Sequence, residues 1–175
     1  TSLSLVNVDQ TNVNQQTQVP RTLGNVANGV NDTDAVNVSQ LNAAKVKYFS
    51  VNSTDAGNRD NTGATGTNAI AIGPAATATK AQSIALGNSA TAGGTDSIAI
   101  GNGSVAADKV APVAIGRGTQ ANGDFSVALG GGNHQFVGAI ANGVGTTALG
   151  TYSKTAADTN FQTAVGFGAN TTKAN

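Results

Sequence analysis

The sequence predicts an all-β fold, a parallel β-roll (solenoid) preceded by a short helical segment. Three observations carry that expectation. A four-residue motif ending in glycine recurs from residue 69 to the end of the chain. Bulky and small apolar residues alternate within it. Large apolar residues are otherwise few, with aromatics at 4% of the chain and 23 glycines among 175 residues. A conventional core is hard to build from such a composition, whereas a stack of small repeated units needs none.

The motif copies read Ile70-Ala71-Ile72-Gly73, Ile84-Ala85-Leu86-Gly87, Ile98-Ala99-Ile100-Gly101, Val113-Ala114-Ile115-Gly116, Val127-Ala128-Leu129-Gly130, Thr147-Ala148-Leu149-Gly150 and Thr163-Ala164-Val165-Gly166. Their glycines are separated by 14, 14, 15, 14, 20 and 16 residues. Fourteen residues are too few for a strand plus a crossover helix, which takes about 30. They suffice for two strands of about five residues and two tight turns, and stacked coils of that kind form rungs about 4.8 Å apart. A second strand is visible after each glycine in Ala76 and Ala78, Ala90 and Ala92, Ser104 and Ala106, and Thr119 and Ala121. Turn residues fill the intervals, as in Gly93-Gly94-Thr95-Asp96 and Asn122-Gly123-Asp124. All charges beyond residue 68 lie outside the motif strands.

Within the motif the bulky residues sit two apart and share one face, while the alanine between them points to the other. Both faces are apolar, yet a thin coil has only one inside. The small residues of both strands fit that narrow interior. The aliphatic ladder then faces outward, as a patch too large for a soluble monomer. It is expected to meet further copies of the chain through Ile70, Ile72, Ile84, Leu86, Ile98, Ile100, Val113, Ile115, Val127, Leu129, Leu149 and Val165. The reverse arrangement, with the large residues enclosed and alanine outside, would leave a monomer.

Ahead of the repeats the chain divides into an extended end (residues 1–20), a segment with a short helix (21–46), and an entry strand with a loop (47–67); the β-roll occupies 68–175. Residues 2–8 read as extended, and Val19-Pro20 enforces extended backbone. Thr33 or Asp34 is placed to cap a helix of about ten residues that includes Ala35, Val38, Leu41, Ala43 and Ala44. Such a helix is too short to stand alone, so Val38 and Leu41 are expected to pack against partner helices. Residues 46–52 alternate like a strand.

Two motifs in this chain resemble those of trimeric autotransporter adhesins. Asn25-Val26-Ala27-Asn28-Gly29 followed by Asp34-Ala35-Val36-Asn37-Val38-Ser39-Gln40-Leu41 is similar to their neck, and the Ile-Ala-Ile-Gly repeats are similar to the left-handed parallel β-roll of their YadA-like heads. Lys47-Tyr48-Phe49-Ser50-Val51-Asn52-Ser53 resembles the stretch that opens such a head. The resemblance implies a homotrimer on the bacterial surface that attaches to host cells or extracellular matrix and serves virulence. It also implies a fragment, because the family's leader, coiled-coil stalk and C-terminal outer-membrane barrel are not in this sequence. The chain departs from the pattern late: about six extra residues fall between Gly131 and Asn142, and Thr147 and Thr163 replace an aliphatic.

Composition excludes several other functions. Nine basic residues balance nine Asp with no Glu, and charged residues make up 10% of the chain. With no basic cluster, neither nucleic acid nor an anionic membrane is an expected partner. No run of about 18 apolar residues exists to span a bilayer. No cysteine exists for a disulfide, thiolate nucleophile or thiolate metal site. The one histidine, His134, has no evident orienting partner, so no catalytic residue is expected. Asp96, Asp124 and Asp158 read as turn residues rather than metal ligands, since the Gly-Gly-x-Gly-x-Asp calcium repeat is missing, and no cofactor is expected. Within the insertion, His134, Gln135 and Phe136 are candidates for receptor contact. Two other classes fit less well. A solenoid acyltransferase would repeat its hexapeptide every six residues, not once in 14. An ice-binding solenoid needs threonine ladders, and the series Thr77, Thr91, Val105, Gln120 breaks at once.

Overall fold

A computed structural model describes residues 23–45, 52–54, 57–133, 135 and 137–172. The extended segments expected at 2–8 and before Pro20, and the entry strand at 46–51, lie outside the described residues, as do His134 and Phe136. The chain divides into two compact units, Thr1–Ser50 and Val51–Asn175.

In the first unit a seven-residue helix, α1, spans Val38–Ala44. It is shorter than the sequence suggests, and its cap is Asn37 rather than Thr33 or Asp34. The reason is a reciprocal capping box. The Asn37 side chain accepts from the Gln40 N–H at 3.0 Å, and the Gln40 side chain accepts from the Asn37 N–H at 3.3 Å. Asp34 acts one turn earlier, where its carboxylate accepts the N–H groups of Val30 and Asn31 at 2.9 and 2.8 Å. Those two bonds, Asn31 first, hold the Asp34 carboxyl below the ordinary carboxylate range. Gln40 also clamps Gly29, accepting from its N–H and donating to its carbonyl. Val38 and Leu41 are exposed on this short helix.

The second unit is a parallel β-solenoid. Its first-strand row consists of β1 (Ile70–Ile72), β3 (Ile84–Leu86), β5 (Ile98–Ile100), β7 (Val113–Ile115), β9 (Val127–Leu129), β11 (Thr147–Leu149) and β12 (Thr163–Val165), hydrogen-bonded in that order. The second-strand row consists of β2 (Thr77–Ala78), β4 (Thr91–Ala92), β6 (Val105–Ala106), β8 (Gln120–Ala121) and β10 (Ile140–Ala141). Register is strict: Ala71 pairs Ala85, Ala85 pairs Ala99, and Ala99 pairs Ala114. Strands are three and two residues long rather than five, because the corners take the difference.

Each coil turns two corners, and outside the insertion each corner contains a left-handed residue. After the motif glycine these are Ala75, Ser89, Gly103, Gly118, Tyr152 and Gly168. Before the next first strand they include Gln82, Asp96, Ala111, Phe125, Gly145 and Phe161. The motif glycine itself has φ between 117° and 145°, a conformation nearly closed to other residues. It also sits against the coil beneath: a Cβ on Gly87 would stand 2.8 Å from the carbonyl carbon of Gly101.

The interior is lined by alanine. Ala76, Ala78, Ala85, Ala90, Ala92, Ala99, Ala106, Ala114, Ala121, Ala128, Ala139, Ala141 and Ala148 are completely buried in one cluster. Small hydroxyl residues complete the lining, and most return their protons to the turn three residues back, as Ser83 does to Lys80 at 2.7 Å and Ser126 to Gly123 at 2.7 Å. This is the arrangement the alternation within the motif predicts, with alanine inside.

Candidate functional site

Two surface features of the roll are candidates for function. The first is the outward aliphatic face. Ile72, Ile84, Ile98, Ile100, Val113, Ile115 and Val127 are half-buried, while Ile70, Leu86, Leu129, Leu149 and Val165 are exposed, the last at 61%. Because β pairing is in register, they form two continuous stripes along the first-strand row. At the C-terminal end the stripe that begins at Ile70 continues as Thr147 and Thr163.

The second feature is the insertion. In the regular coils a three-residue step closes the corner, as where the Ala90 N–H donates to the Gly87 carbonyl and the Ser104 N–H to that of Gly101. At the insertion the same carbonyl, Gly130 O, accepts from Ala139 at 2.8 Å. The closing bond is therefore kept, with residues 131–138 looped out between its ends. Both roots of the loop stay in the corner ladder. The Gly132 N–H donates to Arg117 O at 2.7 Å in the preceding coil, and Val137 O accepts from Tyr152 at 3.2 Å in the following one. The Thr151 hydroxyl adds a bond to Gly131 O at 2.7 Å. The ladders on either side run on undisturbed, with β9 pairing β11 and β8 pairing β10. Gln135 is exposed near the loop tip, where its N–H donates to the Asn133 side chain. His134 and Phe136, its expected companions, lie outside the described residues.

A cleft flanks the loop on each side. One, of about 280 Å³, is bordered by Asn102, Arg117, Gln120, Asn133 and Val137. The other, of about 250 Å³, is bordered by Val137, Ile140, Tyr152, Lys154 and Asn170. These clefts were not legible as such in the sequence. The only hint was that Arg117 follows its motif glycine where other coils carry Pro74, Asn88, Asn102 or Thr151. Among the described residues no group of three His, Cys, Asp or Glu is placed to hold a metal ion. No helix there is long and apolar enough to cross a membrane.

Glycine-punctuated coils of about 14 residues, an alanine lumen and two parallel ladders define a repeat-built β-solenoid. The family model for the YadA head domain repeat matches residues 64–90, 78–104, 92–109, 113–133 and 137–159, just over half of the chain. The chain belongs to that family, the YadA-like heads of trimeric autotransporter adhesins. The interruptions in the match, at 110–112 and 134–136, fall on the corner that carries a single extra residue and on the insertion. Neither the search of curated proteins nor that of solved structures returned a match.

Proposed function

We propose that this chain is the binding head of a bacterial surface adhesin, non-catalytic, that assembles as a homotrimer and attaches to host cells or extracellular matrix as part of virulence. In this reading the head is held at the outer membrane by a C-terminal barrel carried elsewhere in the protein. Residues 21–46 serve as the neck and residues 68–175 as the head, with residues 47–67 leading into it. Ile70, Ile72, Ile84, Leu86, Ile98, Ile100, Val113, Ile115, Val127, Leu129, Leu149 and Val165 form the head interface, Val38 and Leu41 that of the neck. The observation that carries the reading is the aliphatic face. Its side chains cannot enter a lumen already filled by alanine, and apolar surface of that extent is held out of water only by a partner. A second copy in the same register offers the same stripes, and a rotationally symmetric closure uses them all.

The test is sedimentation of the purified chain together with its Ile100→Asp variant. The native chain is expected to run as a trimer at micromolar concentration. The variant is expected to dissociate or unfold, because a carboxylate in an apolar seam is left unpaired. A native chain that sediments as a monomer, or a variant that melts and sediments like the native chain, overturns the assembly. For the adhesive role, the trimer is screened against immobilised matrix proteins and host cells, beside a chain lacking residues 133–136. Loss of attachment without loss of the trimer supports the loop as the contact element. Undiminished attachment moves the contact elsewhere on the roll.

A further inference from the structure

A net charge of zero conceals a sorting of charge between the two corners of the roll. Beyond residue 68 every acidic residue, Asp96, Asp108, Asp124 and Asp158, lies in the corner that leads from a second strand to the next first strand. Lys80 and Lys109 lie there too, and Lys80 pairs with Asp108 at 3.7 Å. Beyond residue 68 the opposite corner, from motif glycine to second strand, holds no acidic residue and contains the 131–138 loop; the turn stacked ahead of it, at residues 57–63, carries the neighbouring pair Arg59 and Asp60. It carries Arg117, and Lys154 stands exposed beside it, in register with Ile140 and Asn170. Among the described residues neither of these two cations forms an ion pair. Arg117 borders one cleft beside the loop and Lys154 the other, with Val137 between them.

The lining of these clefts narrows the class of ligand. A guanidinium grips sulfate or carboxylate through two parallel N–H bonds, and an ammonium holds it as a point charge. The side-chain amides of Asn102, Gln120 and Asn170 supply donors and acceptors in pairs, the complement of neighbouring sugar hydroxyls. Tyr152, about half exposed, adds a flat apolar face with a hydroxyl at its tip. An acidic peptide would be served by a cluster of arginines or by an unpaired strand edge, and each cleft holds a single cation. The second-strand row beneath the loop offers no free edge, because β8 and β10 pair there. We infer that the two clefts bind an acidic polysaccharide laid across the root of the loop, its sulfate or carboxylate groups held by Arg117 on one side and Lys154 on the other. This rests on the reading of the loop region as the adhesive element, and it supplies the ligand chemistry for that element.

The test is titration of the whole chain with a sulfated heparin-derived hexasaccharide, a carboxylated but unsulfated hyaluronan hexasaccharide and a poly-aspartate peptide of equal charge. Each is repeated on the Arg117→Gln/Lys154→Gln and the Lys80→Gln/Lys109→Gln variants, which lose the same charge from opposite corners. At least one acidic hexasaccharide is expected to bind. Its affinity should fall tenfold or more in the first variant and less than twofold in the second, with both melting like the native chain. Which of the two saccharides binds tells sulfate from carboxylate recognition. Equal losses in both variants would reduce the effect to a diffuse ion atmosphere, binding of neither saccharide would remove the site, and equal binding of poly-aspartate would make the partner an acidic protein; each overturns the inference. Cell attachment separates this from the broader reading. Attachment that depends on residues 133–136 while no saccharide binds refutes the ligand class alone. Saccharide binding with attachment unaffected by the deletion refutes the loop as adhesive element and leaves the site standing.

Discussion

Replacing Gly87 by alanine tests what fixes the pitch of the roll, and the same replacement at Gly166 is its internal control. Both glycines hold φ on the positive side, at 129° and 117°. Forcing an L-residue into such a conformation costs about 1–3 kcal/mol. Only Gly87 has a second reason to be glycine. Its new Cβ would stand 2.8 Å from both the carbon and the oxygen of the Gly101 carbonyl, where ordinary contact begins at 3.4 Å, whereas at Gly166 nothing lies within 4 Å. The coils would have to part by about 0.6 Å at that point, where they are fastened by the Gly101 N–H to Leu86 O at 2.8 Å and the Gly103 N–H to Asn88 O at 2.9 Å. Overpacking of that kind costs a further ~1–3 kcal/mol. At roughly 2–4 °C per kcal/mol for a chain of this size, Gly87→Ala should melt about 2–12 °C below Gly166→Ala. The measurement is thermal unfolding by circular dichroism of the two variants and the native chain at one protein concentration. Equal losses, or a larger loss at Gly166, would mean that conformation alone demands glycine here and that the close approach of successive coils has no cost.

Ser97 is buried with a hydroxyl that finds no partner among the described residues, while the matching Ser83 hydroxyl bonds Lys80 O. Ser97→Ala is therefore expected to be neutral or stabilising and Ser83→Ala to cost about 1 kcal/mol; chemical denaturation of both checks the sign, and the reverse order would refute it. Gln162 stands where four other coils have Ser83, Ser97, Ser126 or Thr146, and its side-chain oxygen accepts from the Ala156 N–H and the Thr159 and Thr171 hydroxyls. Gln162→Leu takes the acceptor from the Thr171 hydroxyl, while the Ala156 N–H keeps Thr171 Oγ1 and the Thr159 hydroxyl keeps Ala156 O, and should cost about 1 kcal/mol. Faster amide exchange in residues 156–171 than in β3 or β5 would show it, and uniform exchange would not fit. The Asp34 carboxyl is held below its ordinary value by the N–H groups of Asn31 and Val30. A group whose folded value is depressed contributes stability above its unfolded value and loses it as pH falls through the folded one. The order of residues 29–41 should thus be constant at neutral pH and decline on acidification below the ordinary carboxylate range. Asp34→Asn should flatten that decline, as followed by amide chemical shifts.

The sequence was most legible where a physical constraint repeats. Spacing gave the coil, and alternation gave the orientation of each motif residue, because a lumen wide enough for Ala99 has no room for Ile98 or Ile100. The left-handed corners were half legible. Gly103 and Gly118 announce themselves, but Ala75, Ser89, Phe125 and Tyr152 take the same backbone without the residue that signals it, since neighbouring coils bond them in place. The helix was found but its start was misplaced, because Thr33 and Asp34 are good caps by type and only the Gln three residues after Asn37 decides between them. The extra residues at the insertion were countable, yet their anchoring was not. Nothing in the sequence says that Ala139 would return to Gly130 O in place of a residue three positions on. The clefts were invisible for a related reason, since Arg117 and Lys154 come to flank one loop only through the stacking of coils far apart in sequence.

The alanine lumen also explains why such a roll leans on its outer face. A coil that encloses methyl groups gains little from the transfer of apolar surface out of water, about 0.8 kcal/mol for each buried carbon group. Ordering each residue of its backbone costs about 1–2 kcal/mol. Ladder hydrogen bonds, at a net contribution of about 1 kcal/mol each, lower that cost without covering it. The large aliphatic side chains that would supply the margin are on the outside, half covered by one another along the stripes. In the proposed trimer their burial and the stability of the coil become one quantity. The insertion fits the same logic. It leaves the corner opposite the acidic one, keeps the closing bond at Gly130, and disturbs neither the lumen nor the aliphatic stripes. A roll of this construction is free to vary its surface only at its corners, and residues 131–138 are where this one does so.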